Sequence, residues 1–320
     1  MTRLNLWLCL GVIVAALLSV AAGKVWVPLD AWNSADPRSL IIVELRLPRT
    51  VLALAVGAAL GFSGAVMQGY LRNPLADPGL FGVSAGAAFG AVCALFFGYA
   101  AQAWLLPGFA LAGAGATMAM LALIAGRSGS LILFTLAGMI LTSIAGSLTA
   151  LAISLAPTPF VASEIVTWLM GALTDRSWDD VLVAAPLMAV GAVILARTAA
   201  ALDALTLGEV AARSMGVDPR RLQLAVVAGI ALLVGASVAA AGVIGFVGLM
   251  VPHLVRPLAG HRPSAILLPS ALAGALLLTV ADTLVRVLPT VAELRLGIAM
   301  SMLGGPFFLY LLVAMRRRLA

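Results

Sequence analysis

His253 is one of two histidines in the chain and lies in an apolar run. No second His, Cys or carboxylate stands at metal-ligand spacing from it. It therefore reads as a structural group of a helix rather than a ligand. Cys9 and Cys93 also lie inside apolar runs. They read as small buried hydrophobes and offer no disulfide framework. Lys24 is the sole lysine, and no Gly-x-x-x-x-Gly-Lys-[Ser/Thr] loop surrounds it, so the chain lacks the loop that cradles nucleotide phosphates. No catalytic triad and no acidic pair emerges, so no residue is assigned to catalysis, to a metal or to a cofactor. The acidic residues nearest the apolar runs are Glu164 and Asp282, expected at the outer interface. Transport driven by an ion gradient normally uses titratable groups inside the spans, and this pattern argues against it.

Four polar stretches interrupt the apolar pattern. Glu44-Leu-Arg-Leu-Pro-Arg49 places Arg46 and Arg49 at the outer membrane surface, either as interfacial anchors or as a docking site. Gln68 to Gly79 holds Asn73-Pro74-Leu75 and Asp77-Pro78. Proline ends one helix here and disfavours helix at the residue before it. The result is a plain loop, or irregular backbone lining a pathway. Leu202 to Leu222 is the longest cytoplasmic loop and is ordered in character. Thr206 and Glu209 have capping-box spacing, Gly216 suits a helix C′ position, and Asp218-Pro219 opens a further helix. Two short helices at a Gly hinge follow, either lying on the bilayer or receiving a partner. The fourth stretch, Gly242 to Arg256, contains Pro252 and His253.

The elements that must position these stretches follow from composition. The chain is 63% apolar and 10% charged, with mean hydropathy +1.13, far from the roughly 25% charged residues of soluble domains. Lipid is the solvent that suits it, and lipid demands helices or closed barrels. The runs are continuous rather than alternating, which excludes a barrel. An all-α polytopic membrane protein is expected. Runs of about 20 apolar residues give ten candidate spans: Leu4–Ala22, Thr50–Tyr70, Phe81–Ala101, Leu105–Ala125, Leu131–Leu155, Val181–Ala196, Leu222–Ala241, Val243–Leu258, Ala265–Leu288 and Leu296–Ala314. One transmembrane domain over residues 1–320 is expected. The first run resembles a signal peptide but is longer than the usual apolar core of about 7–15 residues, and is read as a retained helix. With the N-terminus inside, twelve of the nineteen cationic residues fall on the cytoplasmic side, among them Arg127 and Arg316 to Arg318. Both termini are expected in the cytoplasm. The net charge of +6 is thus explained by orientation, not by nucleic acid. Gly57/Gly61, Gly82/Gly86 and Gly86/Gly90 have the four-residue spacing that lets helix backbones approach.

These stretches together resemble the FecCD family of permeases, from bacterial ABC importers of iron-siderophores, haem and cobalamin. The residues that carry the resemblance are Arg46-Leu-Pro-Arg49, Gly57 through Ser63-Gly64 to Gln68, and Arg72-Asn-Pro-Leu-Ala-Asp-Pro78. They continue with Gly82-Val-Ser-Ala-Gly86, Trp168-Leu-Met-Gly171, Leu207-Gly-Glu209, Ser214-Met-Gly-Val217 and Gly245 through His253. Glu293, Gly297 and Gly304-Gly-Pro306 close the series. The resemblance implies a type II importer permease of about ten spans in the bacterial inner membrane. It implies a homodimer with the pathway between the copies, two ABC ATPase subunits and a periplasmic substrate-binding protein. It assigns Arg46, Arg49 and Arg286 to docking of that protein, and Asn73, Pro74 and Leu75 to a cytoplasmic constriction. Leu207, Gly208, Glu209, Ala212, Ser214, Gly216 and Val217, within cytoplasmic helices at about 203–221, would meet the ATPase. The family's last motif reads Glu-Leu-Pro-x-Gly-x-x-Thr, whereas Arg295 and Met300 stand here for Pro and Thr.

A ferric siderophore is the first expectation for cargo, haem or cobalamin the alternatives. A self-contained secondary transporter and an intramembrane enzyme are the rival classes, opposed by the missing intramembrane carboxylates and catalytic groups. Without a phosphate loop, the purified chain should hydrolyse ATP no faster than a protein-free control. Hydrolysis by the chain alone, measured as phosphate release, would defeat the reading.

Overall fold

The apolar runs form helices because no other backbone arrangement meets its own hydrogen bonds inside lipid. The structure is a computed structural model describing residues 3–28, 32, 36–99, 102, 104–125, 131–290 and 292–319. Arg127, counted above for orientation, lies outside them. The described residues form α1 (Arg3–Ala21), α2 (Leu47–Tyr70), α3 (Val83–Phe96), α4 (Leu105–Ala125), α5 (Leu131–Ser154), α6 (Pro159–Leu169) and α7 (Trp178–Ala196). There follow α8 (Ala199–Leu205), α9 (Glu209–Ser214), α10 (Pro219–Ala241), α11 (Val247–Ala259), α12 (Pro263–Val287) and α13 (Leu296–Leu319). A wider π-helical stretch, Ile41–Arg46, leads directly into α2.

Seven of these helices are long and apolar enough to cross a membrane. Each of the ten expected spans has its helix, but α3 and α11 are shorter than expected, at 14 and 13 residues. The reason is that each follows a stretch of irregular chain. Before α3 the chain runs from Leu71 through a 3₁₀ turn at Pro78–Phe81 to Gly82, whose φ of 84° is left-handed. Before α11 it leaves α10 at Gly242 and re-enters helix only after Phe246, with φ of 70° and 67° at the two ends. The short helix α6 was not expected. Thr158 caps it by accepting from the Val161 N–H, with Pro159 at its first position.

The centre of the fold is α2 and α10, each 72% buried over its most apolar window, whereas α1 is 17% buried there. Leu52, Val56, Met67, Ile230, Val234, Ile266 and Leu278 belong to one continuous core around them. The most extensive helix–helix contact joins α2 to α12, with the backbones in close approach. A Cβ at Gly57 would overlap the Gly274 carbonyl, and one at Gly61 the Ser270 carbonyl. Gly86 and Gly90 make the same kind of approach from α3 to Gly113 and Phe109 of α4. Gly82, by contrast, lies outside the helix as its left-handed N-cap. Close packing of small residues is what holds membrane helices together where lipid removes the hydrophobic drive.

Three polar devices fix the helix ends that face α8 and α9. Asp218 accepts from the Arg220 and Arg221 N–H groups at the start of α10. Asp203 of α8 accepts from the Ser264 N–H at 2.9 Å and from its hydroxyl at 2.6 Å, and so caps α12 from another helix. Arg262 closes on the same carboxylate at 3.0 Å.

Replacing Gly61 with Val should prevent α2 and α12 from meeting. We expect loss of monodisperse protein, or a thermal transition lowered by many degrees, because overpacking costs about 1–3 kcal/mol or more. Gly115→Ala, where a Cβ meets nothing within 4 Å, should behave as wild type in the same size-exclusion and melting assay.

Candidate functional site

Three regions hold the polar residues singled out in the sequence. The first is a charge cluster at the end of the bundle formed by the start of α2 and the ends of α1 and α12. Arg49 meets Asp282 through two nitrogens, Nε at 3.0 Å and Nη2 at 2.9 Å. Its Nη1 reaches Glu293 at 3.0 Å, and Thr174 donates to the same Glu293 oxygen at 3.1 Å. Arg286, one turn beyond Asp282, donates to it at 3.1 Å and to the Ser19 hydroxyl at 2.8 Å. Arg46 donates to the Val20 and Ala21 carbonyls at 3.0 and 2.7 Å, and to that of Val25. Among the described residues, Arg49 and Arg286 thus share Asp282, Arg49 alone reaches Glu293, and Arg46 meets no carboxylate. The free carbonyls at the end of α1, the negative end of its dipole, make up the difference.

This arrangement departs from the expectation that Arg46, Arg49 and Arg286 face outward to a docking protein. Their exposures are 5, 8 and 5%, and their guanidinium groups are engaged inside the protein. Asp282, expected at the outer interface, is 1% exposed. The cause is a carboxylate that the sequence places far from its partners. Once Asp282 is brought against α2, its two arginines are drawn in, because a buried charge must be paired. The same finding removes one argument against secondary transport, since a carboxylate does sit inside a span. Asp282 is nonetheless clamped by two cations and is poorly suited to cycling a proton.

The second region is formed by the two irregular stretches. Asn73 accepts from the Leu75 N–H at 3.0 Å, so Asn73, Pro74 and Leu75 form a tight turn just past α2. Asp77 accepts from the Gly79 N–H at 2.7 Å and from the Leu249 N–H. It therefore serves both the 3₁₀ turn and the first turn of α11. Pro252 cannot donate to the Gly248 carbonyl, and Gln68 of α2 covers the gap. Its amide nitrogen lies 3.5 Å from the Gly248 oxygen and 3.2 Å from that of Leu249, while its own oxygen accepts from Arg256 at 2.7 Å. Asp77, Ser84, Thr142 and Phe246 line a cavity of about 240 Å³ between the stretches. His253 packs edge-on against Phe307, ring centres 6.1 Å apart.

The third region is α9. Gly208 precedes it with φ 101° and Gly216 follows it with φ 88°. The Gly216 N–H bonds the Arg213 carbonyl and the Val217 N–H that of Ala212, a Schellman closure of the helix. Thr206 does not cap α9 as expected. Its hydroxyl donates to the Asp203 carbonyl, and Gly208 takes the N-cap position. Asp218-Pro219 opens the long helix α10 rather than a second short one. Ala212 is turned inward at 1% exposure, while Leu207, Val210 and Met215 are 67, 85 and 63% exposed. Glu209 and Ser214 lie on α9 with Val210, while Leu207 and Met215 flank it, and the Ser214 hydroxyl donates to the Ala211 carbonyl at 2.9 Å. Arg72, with φ 51°, approaches Glu209 to 3.8 Å. This contact joins α9 to the turn at Asn73.

Comparison with known proteins places the whole arrangement. Residues 11–314 match the model of the FecCD transport family. The chain belongs to that family. Members of it that resemble this chain include the vitamin B12 import system permease BtuC of Salmonella paratyphi A, 39% identical over 317 residues, which are 98% of this chain and 96% of the relative. The ABC transporter permease YvrB of Bacillus subtilis is 36% identical over 324 residues, covering 95% and 91%. A solved inward-facing conformation of a metal-chelate type ABC transporter superposes with TM-score 0.90 at 32% identity, covering 98% of this chain and all of that one. The FecCD chain described here is thus a polytopic ABC importer permease subunit of the inner membrane.

Asp282→Asn should strand two buried arginines and lower stability by about 3–5 kcal/mol, as breaking a buried pair does. Glu293→Gln removes one ligand of a partly open pair and should cost less. Denaturation of both variants in one detergent gives the order. An Asp282→Asn protein as stable as wild type would mean that the cluster does not hold the helices.

Proposed function

We propose that this permease works as a homodimer that passes a metal chelate from the periplasm to the cytoplasm, driven by two separate ABC ATPase subunits. In this reading the charge cluster lies on the periplasmic side, α8 and α9 on the cytoplasmic side, and both termini in the cytoplasm. Single-unit organisation fits the continuous core that links α2, α10 and α12.

One observation carries the reading. Helix α9 is closed at both ends by left-handed glycines and buries Ala212, yet it presents Leu207, Val210 and Met215 to the outside. A capped six-residue helix with an apolar outer face is built to be received by another protein. Its contact through Glu209 and Arg72 to the turn at Asn73, Pro74 and Leu75 gives a mechanical route from that partner to the pathway. Movement of α9 pulls on the turn directly. Asp77 then passes the strain to α11, whose first turn it holds.

The periplasmic binding protein would dock over the charge cluster. The arginines beneath it brace that surface rather than form it, since their donors are already taken. As for cargo, ferric siderophore and cobalamin are both metal chelates of suitable class. The 39% identity to vitamin B12 permeases supports the cobalamin reading as well as the siderophore one.

Val210→Trp and Gly216→Val test the coupling role. Each should leave the permease at normal membrane abundance but reduce copurification of the ATPase about tenfold, the effect of losing roughly 1.4 kcal/mol of docking energy. Were α9 instead a linker lying on the bilayer, Trp at this exposed position would anchor it at the interface, and uptake would be unchanged. Full uptake with both variants at normal abundance would place the docking surface elsewhere.

A further inference from the structure

A second polar cavity, of about 470 Å³, opens between α6, the segment that follows it and the chain entering α13. Trp168, Thr167 and Thr174 line it together with Arg176 and Arg295. Both guanidinium groups are short of partners. Arg295 makes no ion pair and no side-chain hydrogen bond among the described residues. Arg176 has a single long contact, 3.6 Å from Nη1 to Asp180, and its Nε is buried without an acceptor. Asp180 and Asp175 attract the Arg176 charge, and Arg295 lies close enough to oppose it. The indole N–H of Trp168 is likewise buried and without an acceptor. Glu164 and Asp175 also line the cavity but are exposed, and neither is ion-paired to Arg176 or Arg295 among the described residues.

Buried donors left unmet cost about 1–3 kcal/mol each. Here Arg176 Nε and the Trp168 indole N–H are buried and unmet, and the half-exposed Arg295 stands beside them with no ion pair among the described residues, around one cavity with an aromatic wall. The group that satisfies them all is an anionic oxygen pair, since guanidinium forks match carboxylate geometry with two parallel hydrogen bonds. The cavity lies beside Thr174, which donates to Glu293, and so adjoins the charge cluster on the side assigned above to the periplasm.

We propose that this cavity receives a carboxylate of the cargo as it enters, with Arg295 and Arg176 holding its oxygens and Trp168 supplying a further donor. The inference rests on the importer reading and narrows it, since it selects chelates that carry free carboxylates over neutral ones. Arg295 is the determinant of that choice, because Arg176 already has Asp180.

The test uses the full chain in lipid nanodiscs, titrated with citrate, ferric citrate and a neutral ferric trihydroxamate. Citrate and ferric citrate should bind saturably and change tryptophan fluorescence, and the trihydroxamate should not. Arg295→Gln should weaken both carboxylate ligands about tenfold or more, the worth of one charge-assisted pair, and Arg295→Lys should restore part of the loss. Trp168→Phe should abolish most of the fluorescence change. In the assembled importer, Arg295→Gln should lower ferric citrate uptake in the same proportion and leave hydroxamate uptake within about twofold. Equal carboxylate binding by wild type and Arg295→Gln, or no saturable binding by wild type, would overturn the proposal. So would a variant that loses affinity for the binding protein while citrate binding is unchanged, since the cavity would then hold an acidic side chain of that partner. Absence of ATP-dependent uptake of any chelate by wild type would instead defeat the importer reading, while citrate binding to the chain alone would still decide the cavity's role.

Discussion

Asp282 sits between two guanidinium groups in the interior of the protein, and four parts of the chain take their positions from it. Arg49 brings α2, Arg286 is on its own helix and reaches α1 through Ser19, and Arg49 reaches on to Glu293 ahead of α13. A carboxylate in a dry interior is costly unless paired and hydrogen-bonded. The helices that supply its partners therefore cannot drift apart without exposing a charge to hydrocarbon. Close glycine contacts between α2 and α12 bring the carboxylate within reach, and the ion pairs hold the register. Neither device suffices alone. Dispersion between smooth helix faces leaves sliding open, whereas a bidentate pair fixes both distance and angle.

The other half of the molecule is organised by a different constraint. Where α-helix stops short, at 71–82 and 242–246, backbone groups are released from their helical partners. Several find partners within the protein, and neighbouring segments are tied in the same way. Ala172 N–H bonds the Ala241 carbonyl, Gly297 N–H bonds that of Gly171, Asp77 serves two N–H groups and Gln68 covers the carbonyls near Pro252. Such breaks cost stability, and they leave short segments of irregular chain between fixed helix ends. In the proposed reading, this is where a pathway opens without unravelling its walls. The α9 helix sits at the end of this chain of contacts, tied to it by Arg72.

The sequence carried the spans clearly, because unbroken apolar runs need no partner to declare themselves. Gly57 and Gly61 also announced the α2 contact, and Gly216 and Asp218 announced the ends of α9 and the start of α10, since capping chemistry is local. What the sequence did not reveal was non-local. Arg46, Arg49 and Arg286 look like interfacial arginines until Asp282 and the end of α1 are brought to them. Ala212 and Ala211 are indistinguishable as letters, yet only the tertiary contact of α9 decides which one is buried. Thr206 and Glu209 satisfied a capping pattern that Gly208 pre-empted with its positive φ. Helix α6 was hidden because it is short, starts at a proline and carries Glu164, so it fell below the length of a span. Arg295 was visible only as an odd residue, and its lack of a partner required the structure.

The lock around Asp282 also has a history in time. Arg49 and Asp282 are 233 residues apart, so at about 5–20 residues per second the ribosome delivers the arginine roughly 10–50 s before its carboxylate. During that interval α1 and α2 are already in the bilayer, and Arg49 has only water and lipid headgroups to face, which its long side chain reaches by bending toward the surface. The first hairpin therefore enters the membrane as a provisional structure. Arg46 finds its carbonyls within that hairpin, but Arg49 meets Asp282 only after α12 arrives. The last quarter of the polypeptide completes the first.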